Sequence, residues 1–223
     1  MKKVETKLLT TLKKGATVVC ACSGGPDSMA LLSVINNIRE KLNLKVICAH
    51  VNHKVRKESD DEAKLVEKYA IDNNDIFELF EITKYHEKTN FHEDARIIRY
   101  KFLEDVVNKY NADYLMTAHH GDDLIETILM RISRGSNLKG YIGFKYINNW
   151  NKIKLIRPLV FKTKEELENY NKENNIPYVI DNSNYSELYT RNRYRHNILP
   201  LLKYEDKNIH LKYLQFSMEL NKY

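Results

Sequence analysis

Two polar clusters carry the candidate catalytic and ligand-binding side chains of this sequence: Ser23-Gly24-Gly25-Pro26-Asp27-Ser28, and His119-His120-Gly121-Asp122-Asp123 followed by Glu126. In the first, adjacent glycines let backbone N–H groups approach an anion, and a helix beginning near Asp27 adds the positive end of its dipole. Ser23 and Ser28 add hydroxyls, which makes this a phosphate site. It is not the common P-loop, because Pro26-Asp27-Ser28 stands where that motif has Lys followed by Ser or Thr. Gly, Pro and Asp are ordinary turn residues, but a turn does not need two hydroxyls around two glycines. In the second cluster, Asp123 and Glu126 share a helix face near its start, with Asp122 at the turn. Such carboxylates suit Mg²⁺, which takes one or two protein carboxylates plus substrate phosphates. Helix capping is the competing reading for Asp122, Asp123 and Asp27. The catalytic candidates are therefore Asp27, His119, Asp123 and Glu126, with Asp27 and Asp123 as metal contacts.

Two basic groups join them. Arg96 and Arg99 lie on one helix face and could grip polyphosphate or nucleic-acid phosphate. Arg191, Arg193 and Arg195 alternate around Asn192 and Tyr194, a mixture that suits an RNA backbone and an unstacked base.

Helices and strands alternate along the chain between and around these groups. Val4 to Leu12 predicts a short helix stopped by Gly15, and Thr17 to Cys22 a strand that delivers the glycine loop. Met29, Leu32, Ile35 and Ile38 then recur at helical spacing with charge and Asn opposite. Strands are predicted over Leu44 to Val51, Ile76 to Ile82 and Ala112 to Ala118, with helices from Glu58 to about Asp72, through Ala95 to Tyr100, and after His120. Asn90-Phe91-His92-Glu93 and Thr163-Lys164-Glu165-Glu166 resemble capping boxes. This alternation implies a mostly parallel sheet that binds ligands outside the carboxyl ends of its strands, where both polar clusters fall. Beyond Asn137 the pattern weakens: Gly140 to Gly143 reads as a loop, Ile156 to Leu159 as extended, Pro177, Asp181 and Asn182 as turns, and Leu199 to Leu202 as terminal helix. The expected division is an α/β nucleotide-binding domain over 1–140 and a small, mostly helical C-terminal extension over 141–223 that packs on it.

With 223 residues, 43% hydrophobic and 30% charged, one full core is expected, and no run approaches the roughly 20 apolar residues of a membrane span. The lysine-led N-terminus lacks a signal peptide's apolar centre, so a cytoplasmic location is expected. Cys20, Cys22 and Cys48 lack CxxC spacing and fall in or beside strands, as reduced buried thiols would. The net charge of +6 is compatible with a nucleic-acid partner.

SGGPDS on a strand-loop-helix resembles the PP-loop of the ATP pyrophosphatase superfamily. The wider set of motifs, HVNHKVRKESDDEA from His50, FHEDARIIRY from Phe91, AHHGDDLIETILMRISRGSNLKG from Ala118, IRPLV from Ile156 and DNSNYSELYTRNRYRHNILPLL from Asp181, resembles the tRNA(Ile)-lysidine synthetases. The resemblance implies a Rossmann-like, adenine nucleotide alpha hydrolase-like fold. It also implies an enzyme that uses ATP and Mg²⁺ to attach free L-lysine to C2 of the wobble cytidine of tRNA(Ile) with a CAU anticodon. ATP would first adenylate the cytidine O2, releasing pyrophosphate, and the lysine ε-amine would then displace AMP. Ser23 to Ser28 would hold ATP; Arg96, Arg99, Arg191, Arg193 and Arg195 would contact phosphate or tRNA, helped by the C-terminal extension; a homodimer is compatible with it. Two departures stand out. Leu124 occupies a place where relatives commonly have Gln, and many relatives continue past the length of this chain with a further tRNA-recognising domain, so a short natural form and a truncated one are both open. A tRNA thiolation enzyme, which would use catalytic or cluster-binding cysteines, and a non-catalytic ATP- and tRNA-binding relative are the alternatives.

Overall fold

The computed structural model describes residues 1–54, 58–82, 91–180 and 189–222. Its centre is a six-stranded sheet of order β3-β2-β1-β4-β6-β5, formed by β1 (Thr17–Ala21), β2 (Lys45–Asn52), β3 (Ile76–Glu81), β4 (Tyr114–Met116), β5 (Ile147–Trp150) and β6 (Ile153–Ile156). All neighbours pair in parallel except β5 with β6. The chain moves outward from β1 to β2 and β3, then returns to lay β4 on the other side of β1. The strand order thus reverses between β1 and β4, and a crevice opens above their carboxyl ends. SGGPDS follows β1 and HHGDD follows β4, so both clusters flank that switch point.

The expected alternation is present, with helices α1 (Lys2–Thr11), α2 (Pro26–Leu42), α3 (Ser59–Asp72), α4 (Phe91–Tyr110) and α5 (Gly121–Ser133). On one face of the sheet α2 buries Met29, Leu31, Leu32, Val34, Ile35 and Ile38 together with Val18, Cys20 and Val46. The sequence pattern gives α2 one apolar face, whereas residues 28–35 are buried on all sides. The reason is a second cover: α1 and α7 (Lys164–Glu173) close over its outer side, where Asn37 donates to Glu5 and to the Tyr170 hydroxyl. On the opposite face α4 packs Phe102, Leu103, Val106 and Val107 against Val19, Ile47 and Leu115. Cys20, Cys22 and Cys48 are free and buried.

Past Ser133 the sequence reading and the structure part company in detail. The segment read as a loop contains a short helix, α6 (Leu138–Tyr141), and β5 and β6 form a hairpin turned at Asn151 with φ +51°. Ile-Asn-Asn-Trp has no alternating pattern to announce an edge strand, so only pairing with β6 reveals it. Because β6 pairs with β4 over Tyr114 to Met116, the sheet itself continues across residue 140. Pro158–Phe161 winds into a 3₁₀ turn where the sequence reads as extended, since Pro158 fixes φ and supplies no N–H for the sheet. Thr163 and Glu166 do form the expected capping box at the start of α7. The C-terminal part is helical: α8 (Thr190–Arg193), a π-helical turn over Tyr194–Ile198, α9 (Leu199–Glu205) and α10 (Ile209–Leu220). Asn90 of the other expected capping box, the turn residues Asp181 and Asn182, and residues 55–57 lie outside the described residues. Among the described residues, no helix is long and apolar enough to cross a membrane.

Candidate active site at the β1–β4 switch point

The glycine loop closes on itself. Ser28 Oγ accepts from the Ser23 N–H at 3.1 Å and donates to the Gly25 carbonyl at 3.0 Å. Gly24 has φ +84°, and a Cβ there would stand 3.2 Å from Val66 Cγ2, so both backbone freedom and close approach require glycine. More distant groups then fix the loop in place: Val179 N–H donates to Gly24 O at 2.9 Å, and Asn171 Nδ2 to Pro26 O at 2.8 Å. Pro26 opens α2, whose N-terminal amides and dipole face the place where an anion would lie.

Asp27, in the first turn of α2, meets two groups from elsewhere in the chain. The Lys164 ammonium stands 2.9 Å from each of its carboxylate oxygens. His120 Nε2 lies 3.7 Å from Asp27 Oδ2 and 3.4 Å from Asp123 Oδ2, so one imidazole links the phosphate loop to the second cluster. His120 is the N-cap of α5, and its N–H donates to Asp123 Oδ2 at 3.0 Å, which makes Asp123 a helix-capping group as well as a cleft residue. The next residue, Gly121, lets α10 approach: a Cβ there would stand 2.8 Å from His210 Cβ.

Asp122 turns away from Asp123. It is 2% exposed, accepting from the Lys164 N–H at 2.9 Å and the Lys203 ammonium at 2.7 Å, so it clamps α5 to α7 and α9. Glu126 is fully buried and accepts from Arg191 Nε and Arg195 Nε, each at 2.7 Å. Both guanidiniums also reach Asp123 Oδ1, at 3.0 and 3.4 Å. Burial alone would raise the Asp123 carboxyl, yet the His120 ring and Arg191 hold it well below the usual carboxylate range.

His119 follows β4 on the other side. Its Nδ1 lies 2.9 Å from Thr117 Oγ1, and its ring packs on Phe144 at a centroid distance of 5.4 Å. Burial pushes the imidazole down to about 4; the Asp123 carboxylate opposes that, while Arg157, Arg191 and Arg99 add to it. His119 is therefore neutral at pH 7. Beside it the guanidiniums of Arg96 and Arg99 lie over the Tyr100 ring at 5.0 and 5.8 Å, and that of Arg157 over Phe144 at 5.2 Å. Arg157 is steered by Nη1 bonds to Lys145 O and Asn148 Oδ1, and its buried Nε has no hydrogen-bond partner.

The structure thus brings the loop, Asp27, His119, Asp123, Glu126, Arg191 and Arg195 to one crevice, with Arg96 and Arg99 along its His119 side. It turns Arg193 outward, where it is exposed and donates to Thr190 Oγ1 at 3.2 Å. Arg191 and Arg195, read from sequence as contacts to RNA, direct Nε and Nη2 at Asp123 and Glu126. Sequence reasoning passed over His120, Lys164, Lys203 and Arg157. Lys164 had a signal, standing directly after the Thr163 cap; Arg157 lay within a quoted motif without a role; Lys203 had none. Asp27 and Asp123, the two carboxylates read from sequence as metal contacts, both approach His120 Nε2, and among the described residues no group of three or more His, Cys, Asp or Glu could hold a metal ion.

A family model described as PP-loop domain matches residues 1–202. The chain is 42% identical over 214 residues to a tRNA(Ile)-lysidine synthase of Bacillus thuringiensis subsp. konkukian, covering 94% of this chain and 45% of that protein. It is 38% identical over 211 residues to the one of Geobacillus kaustophilus, covering 92% and 46%. The chain therefore spans about half the length of the curated relatives it matches. Among solved structures, the U34-tRNA thiolase of Methanococcus maripaludis, determined with its 4Fe–4S cluster, superposes over the whole of this chain and 78% of that one, with a TM-score of 0.85 at 20% identity. The NMN synthetase of Francisella tularensis superposes over 79% of this chain and 71% of that one, with a TM-score of 0.51 at 15% identity. These structural likenesses show the fold alone.

Proposed function

This chain belongs to the PP-loop domain family, and from that premise we propose that it ligates L-lysine to C2 of the wobble cytidine of a CAU-anticodon tRNA(Ile), using ATP, in the cytoplasm. The observation that carries the reading is the meeting of Asp27, Asp123 and, through its arginines, Glu126 around His120 beside a phosphate loop. Relatives 38 and 42% identical, both tRNA(Ile)-lysidine synthases, suggest the substrate.

The loop amides, the Ser23 hydroxyl and the α2 N-terminus bind the phosphates of ATP. Cytidine O2 attacks the α phosphate and pyrophosphate leaves; the lysine ε-amine then attacks C2 and AMP leaves. Mg²⁺ held by Asp27 and Asp123 would neutralise charge on the phosphates. A lysine ammonium has an ordinary pKa of about 10.4 and must give up a proton before it attacks. We assign Asp123 and Glu126 to the negative field that holds the amine; because Asp123 is held well below the usual carboxylate range it is a poor proton acceptor, and the proton passes to solvent. His119, being neutral, orients by hydrogen bonding and by its contact with Phe144 rather than by charge. Arg96, Arg99 and Arg157 with Tyr100 form a basic, aromatic wall suited to tRNA phosphate and an unstacked base, and Arg193 is a second phosphate contact.

The thiolation reading finds less support. Cys22 Sγ packs within 3.7 Å of Ser28 Oγ and 3.5 Å of Met29 Sδ, and Cys20 and Cys48 are 0% exposed in the core under α2. Incubation with ATP, Mg²⁺, labelled L-lysine and the CAU tRNA(Ile) transcript tests the proposal. Incorporation at a single cytidine is expected; ATP turnover that depends on a sulfur donor and ignores lysine would favour the thiolase reading.

A further inference from the structure

Lys164 is tied to both polar clusters at once: its backbone N–H donates to Asp122 Oδ2 at 2.9 Å, and its ammonium holds both oxygens of Asp27 at 2.9 Å. An ammonium has three N–H donors, so one remains after Asp27 is served. The side chain is 36% exposed, and an ion pair that open to solvent adds little to stability. Its place suits a different task. Asp27 lies in the first turn of the helix whose N-terminus is the phosphate site, so a polyphosphate arriving there would meet a like charge unless a cation stood between them. Lys164 supplies such a cation from the protein itself, alongside the Mg²⁺ that Asp27 and Asp123 would hold, and as the first residue of α7 it brings a second helix N-terminus to the same place.

We propose that Lys164 is a phosphate-binding residue whose ammonium bridges Asp27 and the part of ATP that leaves as pyrophosphate. The assignment to that part, not the α phosphate, follows from the layout: Asp123, on whose side the acceptor groups are assigned, lies across His120 from Asp27, which Lys164 holds. This inference rests on the reading of the loop as an ATP site.

The test is equilibrium binding of ATP, inorganic pyrophosphate and AMP to the wild-type chain and to Lys164→Met and Lys164→Arg, with melting temperatures measured alongside. Losing one charge-assisted phosphate contact should weaken ATP and pyrophosphate about 10- to 100-fold in Lys164→Met, leave AMP within about twofold, and be largely repaired in Lys164→Arg. Should Lys164→Met fail to fold, Lys164→Gln, which keeps a hydrogen bond to Asp27 without the charge, carries the same comparison. Unchanged pyrophosphate affinity with a lowered melting temperature would overturn the inference and leave Lys164 a structural tie; so would an equal loss for AMP. If the wild-type chain binds neither ATP nor pyrophosphate, the ATP reading of the loop falls first, and this inference with it.

Discussion

Within the phosphate loop, the bonds among Ser23, Gly25 and Ser28 span five residues at most, whereas Asp123 and Glu126 are held by guanidiniums 65 to 72 residues further along the chain. One side of the crevice is a local turn on a helix N-terminus. The other exists only when the C-terminal helices dock on α5. The shape of the phosphate loop is therefore built into a short stretch of sequence, which Val179, Asn171 and Lys164 then fix in place, while the charge state and orientation of the carboxylates depend on tertiary assembly. Damage to the first side should cost function without stability, and damage to the second should cost both.

The largest effect is expected from Asp27→Ala, which should lower lysine incorporation by about a thousandfold or more while leaving the melting temperature close to wild type. Near-normal turnover by that variant would remove the loop from the mechanism. Asp123→Asn and Glu126→Gln should each lose about a hundredfold in rate. Glu126→Gln should also be less stable, by about 3 kcal/mol, because it leaves two guanidiniums beside a fully buried uncharged side chain. Wild-type rates at saturating Mg²⁺ would reduce both residues to caps and anchors.

A smaller effect separates the arginines. Arg191→Ala with Arg195→Ala should lower the melting temperature and leave the slope of log tRNA affinity against log salt unchanged, since both side chains are bound to carboxylates. Arg193→Ala should reduce that slope by about 0.7, the value for one single-strand phosphate contact, with little change in stability. A reduced slope in the double variant would show that the pair leaves Asp123 and Glu126 to meet RNA. The smallest effect is in pH dependence. The folded pKa of His119 is about 4, below its ordinary value of 6.5, so the unfolded chain binds more protons between them. Stability attributable to His119 is therefore lost as pH falls from about 6.5 to about 4. His119→Gln should flatten the decline in melting temperature across that window; the buried His50 and His210, also pushed down, contribute in the same sense, and Asp75, which burial raises to about 6, contributes in the opposite sense.

How much of this was legible in the chain follows the same division. The first four strands and the helices between them announce themselves through apolar runs, helical spacing and glycine punctuation, because each buries its own face against the sheet. The β5–β6 hairpin did not, since Ile147 to Trp150 has no alternation and becomes a strand only by pairing with Ile153 to Ile156. The candidate carboxylates were legible as types at a spacing, but their partners were not. Arg191 and Arg195 read as an RNA contact, and nothing in alternating basic residues around an aromatic announces the buried Glu126 with which they pair.

By itself, then, the sequence determined a phosphate loop at the end of a first strand, an acidic helix start at the end of a fourth, and an alternation that must bring both to one edge of a parallel sheet. These follow from local rules: where glycine permits a turn, where a helix presents its amides, and which face of an element is apolar. Only the tertiary structure decided that His120 stands between Asp27 and Asp123, that Lys164 holds Asp27, and that Arg191 and Arg195 neutralise Glu126. Ion pairs between segments far apart in sequence leave no periodicity behind. Their energy depends on distance and burial, which exist only once the chain has folded.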